Sequence, residues 1–280
     1  MMKTSEQWIV KFKNDYGFRL DESTINYYTF AVRQLVKHLD KSVHEITSND
    51  VRDWLSKLNT SNYKPTSIKS KLAGIKLFYR YCLEEGIISR DPVKSVPFPD
   101  VEDALPCYLE MNQLIELRKL AEGSRKERAI IELLYATGMR ISELAAMKKV
   151  DINWSERIIQ IPKGKRKKGR IVLFTRTCTE YVQTYLDERY DELPFVFVNT
   201  TATGPICVRT IQKKFMVYAK VLDLHVTPHT MRHTFAAHLA QKGMPLKCIQ
   251  DLLGHDSPHQ TQQYARLYDH ARKQMYDEWM

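Results

Sequence analysis

At 280 residues, with 43% hydrophobic and 27% charged side chains, the chain is long enough for one large or two ordinary domains with sizeable cores, which excludes a disordered or fibrous protein. Forty-three lysines and arginines face 33 acidic residues, a formal net charge of +10 spread over both halves: 16 basic against 12 acidic side chains in residues 1 to 100, and 27 against 21 in the rest. Such a balance favours a polyanionic partner, although solvated surface lysines account for charge alone equally well.

The N-terminus, "MMKTSEQWIVKFKNDYG", lacks the apolar run of a signal peptide, and no later stretch is long enough to span a bilayer, so a cytoplasmic protein without a membrane partner is expected. The first hundred residues read as four helices. In "SNDVRDWLSKLN" Ser48 can cap a helix whose Val51, Trp54, Leu55 and Leu58 fall at i, i+3, i+4 and i+7. In "TSIKSKLAGIKLFYRYCLEEG" Thr66 caps, Ile68, Leu72, Ile75, Tyr79 and Cys82 form one stripe, and Gly86 stops the helix. Prolines at 92, 97, 99 and 106 then mark an extended connection. The expected division is a helical domain over 1–96, a linker over 97–107 and a second domain over 108–280.

The second domain reads as mixed α+β. "RAIIELLYATG" is a helix ended by Gly138, and "RISELAAMKKVDIN" starts another. "RIIQIP" and "RIVLF" are two β-rich runs joined by the basic "KGKRKKG", which predicts a hairpin, and "FVFVN" predicts a further short strand. The expected fold is therefore mainly α with a small β-hairpin or sheet. Five scattered cysteines (Cys82, Cys107, Cys178, Cys207 and Cys248) have no C-x-x-C spacing and read as buried free thiols.

In "VTPHTMRHTFAAHLAQKG" Thr227 is a natural N-cap and Pro228 fits the first helical position. His229 and Arg232 then share a face at the end of a helix whose dipole and free N–H groups favour an anion, which outlines a phosphate site. His229 and His233 stand at i, i+4, a zinc spacing. The glutamate of H-E-x-x-H is missing, however, and Arg232 between them opposes a cation, so no metal is expected and His233 and His238 read as core or surface histidines.

Taken in order, "ATGMRISEL", a lysine-bearing hairpin, "HTMRHTFAAHL", "LLGH" and a tyrosine nine residues beyond that histidine resemble the signature of the tyrosine recombinases, the phage-integrase family that includes the Xer proteins. Any one box is weak, but five in register are specific, and the resemblance covers essentially the whole chain. It implies an N-terminal helical core-binding (SAM-like) domain and a catalytic domain. No arm-binding domain is expected ahead of residue 1, so the likeness is to the compact Xer type, or to a simple phage or transposon recombinase, rather than to an integrase with two DNA specificities.

Carried over residue by residue, the resemblance makes Arg140 and Arg232 the clamp on a scissile phosphate, His229 and His255 its phosphate-binding and proton-handling companions, Glu143 an accessory acid, and Tyr264 the nucleophile. The hairpin general acid is Lys165, with Lys163 the alternative. Lys163, Arg166, Lys167, Lys168 and Arg170 would lie along DNA phosphates.

Elementary chemistry agrees with these roles. A phosphodiester attacked by a phenol gains negative charge on its non-bridging oxygens, which two guanidiniums stabilise bidentately. A phenol with an ordinary pKa of about 10 needs proton removal, by His229 or by His255 with Glu143.

The implied activity is site-specific DNA recombination through a 3′-phosphotyrosine without ATP, metal or other cofactor. The implied partners are double-stranded DNA carrying recombination sites, a homotetramer on two duplexes, and an accessory or activating protein. Chromosome dimer resolution and mobile-element integration, excision or resolution both stay open. The rivals are a type IB topoisomerase-like nicking and resealing enzyme and a non-catalytic DNA-binding protein of the same fold. Tyr268, Ala271, Met275 and Trp279 form a tail stripe, read either as packing on its own domain or, by resemblance, as docking on a neighbouring protomer.

Overall fold

Residues 2–101, 106–162, 169–254 and 257–279 are described by the computed structural model, which is mainly helical with one small antiparallel sheet. The chain divides into two units, Met1–Glu102 and Asp103–Met280, each with its own hydrophobic core. Among the described residues, no helix is long and apolar enough to cross a membrane.

The first unit holds α1 (Met2–Tyr16), α2 (Glu22–Leu39), α3 (Ser48–Thr60) and α4 (Pro65–Glu84). Their apolar stripes meet in a core that includes Phe12, Val32, Leu35, Trp54, Leu72, Ile75 and Phe78. Two helix starts differ from the sequence reading, α3 by one residue and α4 by two. Thr47, not Ser48, caps α3: its hydroxyl accepts from the Asp50 N–H while the Asp50 carboxylate accepts from the Thr47 N–H, a reciprocal pair that Ser48 could not make one position later. Helix α4 starts at Pro65 rather than after Thr66, because proline's fixed φ suits the first helical position and its missing N–H leaves nothing unsatisfied there. Gly74 of α4 lies so close to α2 that a Cβ would come within 2.6 Å of the Tyr28 ring and 2.9 Å of its Cα.

The second unit begins with α5 (Met111–Leu120), α6 (Arg125–Thr137) and α7 (Ile141–Ala146). Helix α6 is buried along much of its length and packs on α8 (Arg176–Asp187) and α10 (Pro228–Gln241). Its buried Arg128 and Glu132 pair at 2.9 Å, and Arg118 of α5 reaches the other Glu132 oxygen at 2.7 Å, so neither charge is left alone in the core.

The sheet is β1 (Ile152–Asn153), β2 (Ile158–Ile161) and β3 (Arg170–Leu173), antiparallel in that order, with Ile158 opposite Leu173 and Ile161 opposite Arg170. Ile159, Ile161 and Val172 face the core while Ile171 and Leu173 face outward. The tip of the β2–β3 hairpin, with Lys163, Lys165, Arg166, Lys167 and Lys168, lies outside the described residues.

The strand expected at "FVFVN" is not formed. Phe195 and Val198 make isolated bridges to Lys148 and Pro205, while Val196, Phe197 and Val198 are all buried in sequence, so the segment fills the core without alternating between two faces. All five cysteines are free, as expected, but only Cys82 and Cys178 are buried.

After α9 (Val208–Leu222) and α10, the chain closes with α11 (Leu246–Leu253), α12 (His259–Gln262) and α13 (Ala265–Trp279). A second, smaller core in this unit joins Phe235, Ala236, Ala237 and Ala240 of α10 to Ile249 and Leu253 of α11 and to Tyr264. The tail helix packs on α10 of its own chain: Ala271 is buried, and Met275 covers Gly243 so closely that a Cβ there would meet Met275 Cε at 2.6 Å.

Candidate active site

Three helix ends and one strand bring charged side chains together. Helix α6 ends at Gly138, whose φ of +59° lets the chain turn sharply into α7; a Cβ there would strike the Phe235 ring at 2.4 Å. Two residues on, Arg140 precedes α7, and Glu143 in its first turn accepts from the Arg140 backbone N–H at 2.7 Å and from its guanidinium at 3.0 Å. Helix α11 ends at Gly254, with φ +61°. The last carbonyls of a helix have no partner within it and carry the negative end of its dipole.

Here those carbonyls are met by guanidiniums. Arg170 donates to Leu252 O at 3.1 Å, Arg232 to Leu253 O at 2.7 Å, and Arg140 to Gly254 O at 3.3 Å. Arg232 also donates to Gly138 O at 2.6 Å, which ties the ends of α6 and α11 to α10. Arg170 completes the cluster with two 2.8 Å bonds to the two Glu143 oxygens. Its guanidinium, expected from sequence to lie along DNA, is thus engaged with Glu143 and the end of α11. Arg140 is the more open of the Glu143 partners, its side chain 29% exposed against 12% for Arg170.

The electrostatics follow from this crowding. Burial alone would raise the Glu143 carboxyl, but hydrogen bonds from Arg170 and the Arg140 backbone, with both guanidinium charges, hold it at about 2. Burial and the neighbouring Arg140 and Arg170 charges lower Arg232 to about 9, so it stays charged at neutral pH. Among the described residues the cluster therefore carries one carboxylate against three guanidiniums, an excess of positive charge that suits an anion.

Helix α10 supplies the rest. Its Thr227 cap accepts from the Thr230 N–H at 3.0 Å, and Pro228 occupies the first turn, as the sequence predicts. His229 stands at the exposed start, its pKa lowered by partial burial and by the Arg232 and Arg140 charges. Arg232 is 4% exposed. His238 is a satisfied core histidine, bonded to the Tyr135 hydroxyl and to Leu109 O at 3.0 Å each. His233, grouped with it by sequence reasoning, has a different place: its Nδ1 lies 2.5 Å from the Tyr264 hydroxyl, and its ring meets that of His229 edge-on at 4.3 Å. The i, i+4 spacing from His229 was the available signal; the contact with Tyr264, 31 residues away, was not.

Tyr264 sits between α12 and α13 and is 1% exposed, packed in the second core, with Tyr268 partly buried beside it. Burial raises its phenol above the ordinary value, and the Arg232 charge opposes the rise. The structure thus groups Arg140, Glu143, Arg170 and Arg232 directly, with His229 beside them and Tyr264 joined to the same helix through His233. His255, like the hairpin lysines, lies outside the described residues.

Both the sequence and the fold have known relatives. The model of the Phage integrase family matches residues 108–271, and that of the Phage integrase, N-terminal SAM-like domain matches residues 16–88. The chain is 34% identical over 284 residues to the Tyrosine recombinase XerC of Anoxybacillus flavithermus, covering 96% of this chain and 90% of that one. It is 33% identical over 242 residues to the Tyrosine recombinase XerC of Chlamydia caviae, covering 83% and 77%. Among solved structures it is similar to XerA recombinase, with TM-score 0.56 and 29% identity over 97% of this chain and 98% of that one. The Tn1549 transposon Integrase, solved in complex with a circular intermediate DNA, shares the fold with TM-score 0.77 and 19% identity, at the same coverage.

Proposed function

The chain belongs to the phage integrase family and is a tyrosine site-specific recombinase, and from that premise we propose that it cuts and rejoins duplex DNA through a covalent 3′-phosphotyrosine on Tyr264. The observation that carries this reading is the convergence of Arg140 and Arg232 on the end of α11, with Tyr264 tied to the helix that bears Arg232.

In this reading Arg140 and Arg232 take the non-bridging oxygens of the scissile phosphate, and Glu143 with Arg170 fixes the direction of Arg140. The Tyr264 oxygen attacks phosphorus, the bond to the 5′ oxygen breaks, and Lys165 or Lys163 protonates the departing oxygen. His229 and His255, the latter with Glu143, handle the phenol proton. The phosphotyrosine conserves the bond, so a 5′-hydroxyl from a partner strand can reverse the step without ATP. Guanidiniums supply the charge stabilisation, and no metal is assigned a step. Lys163, Arg166, Lys167 and Lys168 track backbone phosphates beside the cut. Strand exchange takes place in a homotetramer on two duplexes in the cytoplasm, with an accessory protein ordering the cuts.

The test is a covalent-capture assay. Duplexes nicked near the cleavage position are drawn from a random-sequence pool and incubated with wild-type protein and with Tyr264→Phe. A protein–DNA band that survives denaturation in the wild type and vanishes in the variant is expected; bands of equal strength would move the nucleophile elsewhere.

A further inference from the structure

His233 has no role in the chemistry described so far, yet its ring is bonded to the hydroxyl of the proposed nucleophile, beside a side-chain bond from Gln263. We propose that His233 is a positioning residue for Tyr264, its Nδ1 accepting the phenol hydrogen and thereby fixing the direction in which the phenol oxygen presents its lone pairs. The inference rests on Tyr264 being the nucleophile.

Consecutive residues on a helix point about 100° apart, so Arg232 and His233 reach in different directions from one turn of α10. Arg232 reaches the carbonyls of Gly138 and Leu253, and His233 reaches Tyr264. One rigid helix thus sets both the phosphate clamp and the aim of the attacking oxygen, and that helix is held by its Thr227 cap and by the packing of Ala236, Ala237 and Ala240. A phenol has a single hydrogen; before attack it points at His233 Nδ1, which fixes the C–O–H torsion while core packing holds the ring, and it leaves for His229 or His255 as the oxygen attacks. Reacting atoms must be held within a few tenths of an ångström for efficient attack, so a fixed aim bears directly on rate.

The acceptor role requires a neutral imidazole. Burial, with His229 and Arg232 alongside, lowers His233 to about 4, so its Nδ1 lone pair is available throughout the neutral range. The proton is then on Nε2, and the Tyr264 hydroxyl is the donor.

Two variants separate orientation from bulk. Asparagine at 233 can place Oδ1 where Nδ1 stands and keeps an acceptor; leucine keeps a comparable volume without one. The probe is a nicked duplex selected by covalent capture on the wild-type protein, with Tyr264→Phe as the control that establishes the nucleophile. His233→Leu is expected to slow single-turnover covalent capture about tenfold or more while duplex affinity stays within about twofold, and His233→Asn to stay within about threefold of wild type. Leucine at the wild-type rate, or asparagine as slow as leucine, overturns the proposal. Capture that persists in Tyr264→Phe refutes the nucleophile assignment instead.

A second measurement needs no variant at 233 and no DNA. In ¹⁵N-histidine spectra of the wild-type protein, the His233 Nδ1 resonance is expected to be that of a hydrogen-bonded acceptor and to move when Tyr264 is changed to Phe. An unmoved resonance overturns the proposal even if the leucine variant fails to fold.

Discussion

At the scale of single residues, the described part of the site sets one carboxylate, Glu143, among three guanidiniums. Glu143 is the carboxylate shared by Arg140 and Arg170, so Glu143→Gln leaves two guanidiniums facing each other across a half-buried site. The expected loss of stability at pH 7 is about 2 kcal/mol, less than the full shift implies because the carboxyl is partly solvated. The sign is fixed by linkage. A carboxyl held at about 2 contributes stability above its ordinary value of 4.5 and loses it as pH falls toward 2, so the gap between wild type and Glu143→Gln in urea unfolding should close across that window. A gap that persists at pH 2 would contradict the assignment.

The histidines act in a different window. His233 is lowered to about 4, so the unfolded chain binds its proton first as pH drops below 6.5, and stability falls between pH 6.5 and 4. His229 and His238 are lowered too and add to the fall. The urea midpoint should therefore decline from pH 7 to 4.5, with a shallower decline in His233→Asn. Equal slopes would show that His233 is not buried neutral in the folded protein.

At the scale of elements, two glycines mark where helices are forced together. Gly74→Ala drives a methyl into Tyr28 and its backbone on α2, which should destabilise the first unit by about 1–3 kcal/mol. Gly138→Ala combines a left-handed backbone, costing about 1–2 kcal/mol in a residue with a Cβ, with a collision on Phe235. It should lower capture as well as stability, since the Gly138 carbonyl is one of the two that hold Arg232. Thermal unfolding of both variants, with capture measured at a temperature where each is folded, checks the difference.

These same elements show what the sequence discloses. Long amphipathic helices, the Thr227–Pro228 start of α10 and the glycine stops at 86 and 138 are local features, and they stand where the pattern puts them. The failures are of two physical kinds. "FVFVN" has strand composition, but its pairing depends on tertiary neighbours that offer only single bridges, and the two-residue β1 is too short to show a period. In the candidate site, Arg140, Arg232 and Tyr264 are singled out by ordered motifs. The engagement of Arg170 with Glu143, and of His233 with Tyr264, is set by packing between residues 27 and 31 positions apart, which no local spacing reveals.

At the scale of the whole molecule, a net charge of +10 spread over both halves should make duplex binding steeply salt-dependent. Replacing Lys163, Lys167 and Lys168 with alanine should reduce the slope of log K against log salt by about one for each DNA phosphate that is no longer neutralised, with little change in stability. An unchanged slope would mean that the hairpin tip does not touch the DNA backbone.

In the proposed reaction one tyrosine side chain, that of Tyr264, becomes the covalent link to DNA. The most direct measurement is to trap the protein on a nicked duplex, digest both components and identify by mass spectrometry the peptide that carries the nucleotide. A 3′-phosphonucleotide on the phenol of Tyr264 is expected; the same adduct on Tyr268, or on any other residue, would contradict the assignment.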